Sequence, residues 1–220
     1  MILLTLAALF WIGWHVGVAG TDLRGQVVAR LGGTGFMILF SVVSVVSIFL
    51  LVTAYNAASY VGLWVAPNWL RWLLALAMLP AFILFIASVT APNPTSAGQT
   101  LGEAGPRGIT RITRHPMLWS FAIWAIVHVV GNGDLASLLF FGAFAVTALA
   151  GMPSIDAKLA KRDPAAWARL AAGSSIIPFA AGAPHWEEIG FRPLIFGTVL
   201  WIGLLAAHPI AFGVPAVWLG

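Results

Sequence analysis

Five histidines, at positions 15, 115, 128, 185 and 208, are the side chains in this sequence that packing explains least well. Cysteine is absent from the 220 residues, which excludes disulfides, thiolate metal sites and cysteine nucleophiles and leaves imidazole, carboxylate and hydroxyl chemistry. His15, His115, His128 and His208 lie inside or at the edge of long apolar stretches. An ionisable group in hydrocarbon is costly, so it faces a bundle interior and serves an interhelical hydrogen bond, a ligand or a proton path. Imidazole nitrogen suits iron, copper, nickel and zinc, but the apolar stretches lack the acids of a carboxylate-rich metal site. Imidazoles on separate helices, with no Cys and few carboxylates, match haem iron better than a structural zinc.

Spacing limits which histidines can share an iron. His115 and His128 are thirteen positions apart, about 20 Å along one helix, so they cannot hold the same one. Depth within the expected spans pairs His15 with His115 and His128 with His208, although helix tilt leaves other pairings open. Beside His115, Arg111 and Arg114 stand about one helical turn apart in Arg111-Ile-Thr-Arg-His-Pro116. This makes Arg111, Arg114 and His115 the cofactor-binding candidates, because guanidinium forks suit the carboxylates of haem propionates. The competing reading is positive-inside anchoring and lipid phosphate contact. Asp134, after Asn132-Gly133, reads as a helix cap rather than a catalytic acid, and Glu187-Glu188 beside His185 reads as a solvated pair rather than a chelate.

The elements that position these groups are membrane-spanning helices. Hydrophobic residues make up 60% of the chain and charged residues 8%, against about 25% charged in a soluble domain. Apolar spans of about 20 residues are expected at Ile2 to Gly20, Thr34 to Tyr55, Trp69 to Thr90, His115 to Gly131, Leu135 to Met152 and Pro193 to Leu219. The fold class is therefore all-α, a polytopic membrane protein with six transmembrane helices in one bundle and one domain over residues 1–220. The first span reads as a retained helix, not a signal peptide. Ten of the eleven basic residues fall in alternate loops, with Arg71 the exception, so both termini are expected on the periplasmic side of a bacterial inner membrane. Residues 154–191 alternate apolar and charged positions and read as a cytoplasmic interfacial segment broken at Asp163-Pro164 and Ile177-Pro178. The net charge of +4 is spread over short loops, which argues against nucleic acid and for the lipid bilayer as the partner.

The run Gly108-Ile-Thr-Arg-Ile-Thr-Arg-His-Pro-Met-Leu-Trp-Ser-Phe-Ala-Ile-Trp-Ala-Ile-Val-His128, followed by Gly131-Asn-Gly-Asp134, resembles the NnrU membrane protein family. So do Trp14-His15, the Gly32 to Phe40 entry to the second span, Ile155-Asp156-Ala-Lys158, and His208-Pro209 with Gly213-Val214. The family is associated with denitrification and is similar to the 15-cis-zeta-carotene isomerases, haem b membrane proteins with two axial histidines. The resemblance thus implies haem b (iron) as cofactor, His15 and His128 as metal ligands, and a link to nitrogen-oxide metabolism. It equally implies the alternative of haem-dependent cis–trans isomerisation of a carotene-like polyene. Those isomerases carry a cysteine three residues before the second ligand, where this chain has Ala125, so a thiolate ligand switch is not expected. A hydrophobic substrate or a redox partner is implied as well. Arg114-His115-Pro116 also resembles membrane methyltransferases, but the paired glutamates that follow in those enzymes have no counterpart between Ile155 and Trp167.

Overall fold

An apolar segment without access to water must close each backbone N–H onto a carbonyl of its own, and helices do so. The computed structural model describes residues 1–91, Asn93, Thr95 and 105–217; among these, helices dominate, no strand forms, and Gly62 makes a single bridge with Asp134. The chain runs α1 (Ile2–Ile12), a π-helical segment (Gly13–Val18), α2 (Leu23–Asn56), α3 (Asn68–Thr90) and α4 (Ile109–Ile112). It continues with α5 (Pro116–Asn132), α6 (Leu135–Arg162), α7 (Pro164–Ala172), α8 (Trp186–Ile189) and α9 (Arg192–Phe212).

Four of these, α2, α3, α6 and α9, are long and apolar enough to cross a membrane, while Ile2–Val18 and α5 are shorter apolar helices. Three boundaries differ from expectation for local reasons. The first loop folds as helix, so α2 begins at Leu23 and meets the expected span at a kink at Gly32 (φ 72°, ψ 170°). At its far end α6 continues past Met152 and through Pro153, and stops at Arg162 because Asp163-Pro164 turns the chain into α7, with Asp163 accepting from the Ala166 amide at 2.9 Å. The last helix ends at Phe212, before left-handed Gly213 (φ 73°); Leu219, its expected end, lies outside the described residues.

Packing follows a row in which α9 lies on α3, α3 on α5, α5 on α6, α6 on α1 and α1 on α2. Helix α6 therefore stands between α1 and α5, and α3 between α5 and α9. Leu4, Leu51, Phe140 and Phe141 form the core where α1, α2 and α6 meet, and α9 seats on α3 through Gly197, where a Cβ would meet the Ile83 backbone at 2.8 Å. Large apolar side chains such as Ile2, Val45, Phe49, Val199 and Ile202 remain exposed on the outer surface, as contact with lipid chains requires.

The two ends of the bundle along the helix axes are tied differently. At the basic end, Lys158 Nζ donates to the Ala19 carbonyl and Ser154 Oγ to the Gly20 carbonyl at 3.0 Å. At the opposite end the loop after α2 clamps the α5–α6 turn: the Leu63 and Trp64 amides donate to the Gly133 carbonyl at 2.8 and 3.0 Å, and Trp64 Nε1 donates to Val130 at 2.9 Å. Gly133 is left-handed (φ 68°), and a Cβ there would sit 2.1 Å from the Trp64 carbonyl oxygen. Gly133→Ala should therefore cost about 1–3 kcal/mol, read as a lowered Tm in detergent, while Gly142→Ala, which has open space around it, leaves Tm unchanged or slightly raised.

A histidine-lined cavity as candidate functional site

Helix α5 begins in a buried charge cluster. Pro116 occupies its first turn, where no amide hydrogen is missed, and His115 is the residue before it, with its side chain fully buried. His115 Nε2 lies 2.7 Å from Asp156 Oδ1, and Arg114 Nε donates to Asp156 Oδ2 at 2.8 Å. Arg114 also donates to the Ser174 carbonyl at 2.8 Å and lies over the Trp167 ring at 5.1 Å. One carboxylate from α6 thus holds two basic side chains from the start of α5. His115 Nδ1 is buried with no hydrogen-bond partner among the described residues.

Arg111 faces outward and pairs with Glu188 at 3.0 Å, and the Gly108 amide donates to the same carboxylate at 2.8 Å, pinning α8 to α4. The Arg111 hydrogen bond, assisted by that amide, holds the Glu188 carboxyl below its ordinary range. His185 lies 3.7 Å from Glu188, so this acid joins an ion-pair cluster. Arg111, Arg114 and His115, the expected cofactor contacts, are therefore each engaged by a protein carboxylate, and none of them lines the cavity described next.

That cavity, about 510 Å³, opens between α3, α5 and α9 at the end opposite the Arg114–Asp156 cluster. The volume is typical of small-molecule and cofactor sites, which run about 300–1,000 Å³. Phe82, Trp124, Trp201 and Phe212 supply aromatic wall, with Leu74, Met78, Leu204 and Leu205 between them. Trp201 is fixed by its indole N–H, which donates to the Ala75 carbonyl at 2.7 Å. Two histidines enter this apolar space, His128 from α5 and His208 from α9, with ring centroids 6.5 Å apart and planes inclined by 21°. Each donates from Nδ1–H to a backbone carbonyl at 2.7 Å, His128 to Trp124 and His208 to Val214. A carbonyl only accepts, so in each neutral ring Nε2 carries the lone pair, and it has no hydrogen-bond partner among the described residues.

His15 lies elsewhere, on the π-helical segment that follows α1. Its Nδ1 donates to the Trp11 carbonyl at 2.9 Å, its ring stacks on Trp11 at 3.9 Å, and its Nε2 lies 3.2 Å from Ser44 Oγ on α2. Between His15 and His128 stands α6: Phe144 packs on Trp11 at 4.7 Å and on Trp124 at 5.3 Å, and these two indoles are the ring neighbours of His15 and His128 respectively. His15 is not among the residues lining the cavity.

Asp134 takes the capping role, accepting from the Ser137 amide at 2.9 Å while bordering the cavity. Tyr55, Trp124, Trp201 and Arg71 are wall residues that sequence reasoning did not single out as site residues. The signal for Arg71 was present, since it is the basic residue that breaks the loop-charge pattern. Asp156 had a signal too, as an acid in the chain just beyond an apolar span that needed a basic partner.

A family model described as NnrU protein matches residues 3–216. This chain belongs to the NnrU family. As an NnrU protein it is similar to the 15-cis-zeta-carotene isomerases of the chloroplast: 29% identical to that of Arabidopsis thaliana over 48% of this chain and 31% of the relative, and 29% identical to that of Zea mays over 47% and 30%. The matched part thus spans less than a third of the length of these curated relatives. No solved structure matches.

Two outcomes follow for the NnrU chain. Removing the Asp156 carboxylate leaves the largely covered Arg114 without its counter-charge and the buried His115 without its partner, so Asp156→Ala should cost about 3 kcal/mol, seen as a fall in Tm; the loss should be far from additive with Arg114→Ala. The Arg111–Glu188 clasp contributes its stability above the ordinary carboxylate range and loses it as pH falls through the lowered Glu188 value. Amide exchange across Trp186–Ile189, corrected for its intrinsic pH dependence, should therefore quicken on acidification in the parent and be quick at all pH values in Glu188→Gln.

Proposed function

We propose that this NnrU-family protein is a membrane-embedded cis–trans isomerase of a carotene-like polyene, that it crosses the bilayer six times with its basic loops cytoplasmic, and that it uses haem b. The observation that carries the reading is an apolar, aromatic-walled cavity among bilayer-length helices into which two imidazoles project with unengaged Nε2 atoms. The similarity to plant carotene isomerases supports the same reaction class.

A polyene partitions into the bilayer, so its site must be reachable from lipid and lined for dispersion contact rather than for hydrogen bonding. Phe82, Trp124, Trp201 and Phe212 offer such contact, and their rings suit a flat conjugated chain. Isomerisation conserves every atom and the net oxidation state, so the cavity has to admit no water and no second substrate. It has to hold the chain while one double bond loses its π overlap and turns. The other ionisable groups at the wall are already occupied in part: Arg71 Nε donates to the Ala66 carbonyl at 3.2 Å, Tyr55 Oη shares a hydrogen bond with Ser137 Oγ at 3.0 Å, and Asp134 caps α6. The imidazoles are the groups left to act.

Haem fits the donors present, since neutral imidazole with Nδ1–H held by a carbonyl is the form in which histidine ligates iron. Bound there, its iron would supply the electronic centre that lowers the barrier to double-bond rotation. Ala125, at the position of the relatives' cysteine, is fully buried in the core with α6, so no thiolate takes part. The link to nitrogen oxides expected from the family resemblance finds no feature of its own among the wall residues. The test is to add a cis-carotene to haem-loaded protein in vesicles and follow isomers by chromatography. Wild-type protein should convert it, and Trp201→Ala, which removes wall and its anchor without touching a histidine, should slow conversion; wild-type protein that converts none contradicts the reading.

A further inference from the structure

The cavity between α3, α5 and α9 is unlike at its two ends. On α3 its wall runs from Arg71 through Leu74 and Met78 to Phe82, three or four residues at a time along one helix face, so it extends about 16 Å along the axis. Helix α5 lies antiparallel to α3: a Cβ at Gly131 would lie 3.5 Å from Leu74 near one end, and Phe121 meets Phe85 at 6.3 Å beyond the other. Arg71, Asn132 and Asp134 therefore share the end held by the loop after α2, where Arg71 Nε donates to Ala66 and Gly62 bridges to Asp134. Met78, Phe82, Trp124 and Val127 line the other part, which carries no ionisable group.

At the polar end, the neighbours of Arg71 are turned to α6 through one residue. Tyr55 Oη shares a hydrogen bond with Ser137 Oγ at 3.0 Å, Asn132 Nδ2 donates to the same hydroxyl at 3.0 Å, and the Asp134 carboxylate accepts from the Ser137 amide at 2.9 Å. Arg71 differs. Its Nε is committed to Ala66, but its two terminal nitrogens have no protein acceptor among the described residues, where the ion pairs are made by Arg111, Arg114, His115 and His185. It is also the basic residue that breaks the loop-charge pattern, so positive-inside anchoring does not place it there. A guanidinium with free N–H groups at the end of an apolar space suits a carboxylate or phosphate, whose oxygens match its fork. We infer that the ligand of this cavity is an amphiphile, an unsaturated chain lying along Met78, Phe82 and Trp124 whose carboxylate or phosphate end pairs with Arg71. This rests on the cavity being the polyene site of the proposed function and narrows its substrate, because a pure hydrocarbon offers Arg71 no partner.

The test compares cis-parinaric acid, a fluorescent conjugated polyene acid, with its uncharged methyl ester, using the full chain in phosphatidylcholine nanodiscs. Binding is read as energy transfer from tryptophan to the polyene that excess methyl linolenate removes. Wild-type protein should hold the acid about tenfold more tightly than the ester, as for one charge-assisted hydrogen bond. Arg71→Gln should bring the acid down to the level of the ester, whose own affinity in this variant reports that the cavity is kept, and Arg71→Lys should restore most of the preference. A phosphatidylglycerol carrying the same polyene chain identifies the source of the anion: binding tighter than that of the free acid and lost in Arg71→Gln assigns a lipid headgroup, and weaker binding assigns a free carboxylate. Equal affinity for acid and ester, or a preference for the acid that survives Arg71→Gln, overturns the amphiphile; displacement of both probes by cis-carotene would then leave the cavity as a hydrocarbon site. No removable transfer from either probe in wild-type protein overturns the inference together with the reading of the cavity.

Discussion

One carboxylate on α6, Asp156, fixes where α5 begins. It accepts from Arg114 and contacts His115 within a single turn of chain, and the cost of burying His115 and Asp156, with Arg114 largely covered beside them, is met only while all three stay together. Pro116 then starts the helix without a wasted amide, and every later position on α5 is set by helical rise from that point. His128 is placed by this fixed start at one end and by the Gly133–Trp64 clamp at the other. The basic motif next to His115 thus acts at a distance from the cavity, by holding the helix that lines it.

The cavity exists because the row of helices leaves a gap between α3, α5 and α9 that aromatic side chains only partly fill. Its polar equipment is sparse, and most of it is bound to backbone. A hydrocarbon setting makes this economical: each imidazole satisfies its donor locally and presents one lone pair, which avoids an orphaned N–H and leaves a single acceptor or ligand atom on an apolar wall. Helix α9 rests on α3 through Gly197 and Trp201 and buries little of itself, so the cavity has a wall that borders lipid. A hydrophobic substrate would meet that wall without passing through water.

Much of this was legible in the sequence. Apolar length marked the four helices long enough to cross a membrane and the two shorter apolar ones, Asn132-Gly133-Asp134 marked the tight turn and its cap, and Asp163-Pro164 marked the break after α6. Helical rise placed His128 and His208 at one depth, and the fold brings their rings together. What did not show was lateral order. A one-dimensional pattern says how deep a residue lies but not which helices are neighbours, so nothing in the spacing revealed that α6 separates His15 from His128. The same gap hid the partners of Arg111 and Arg114: Glu188 and Asp156 lie 77 and 42 residues further along the chain. Loop charge gave these arginines a membrane-anchoring role and their fork geometry a propionate role; in the fold each also pairs with a protein carboxylate.

In the proposed function, the space between α3, α5 and α9 is where this NnrU protein holds its hydrophobic ligand. Photolabelling measures that directly: a polyene with a photoreactive end group is irradiated with the protein in vesicles, and the labelled peptides are mapped with and without excess cis-carotene. Label should fall on wall residues of α3, α5 and α9, such as Phe82, Trp124 and Trp201, and excess cis-carotene should suppress it. Competed label confined to α1 and α2 around His15 and Ser44 would contradict that placement.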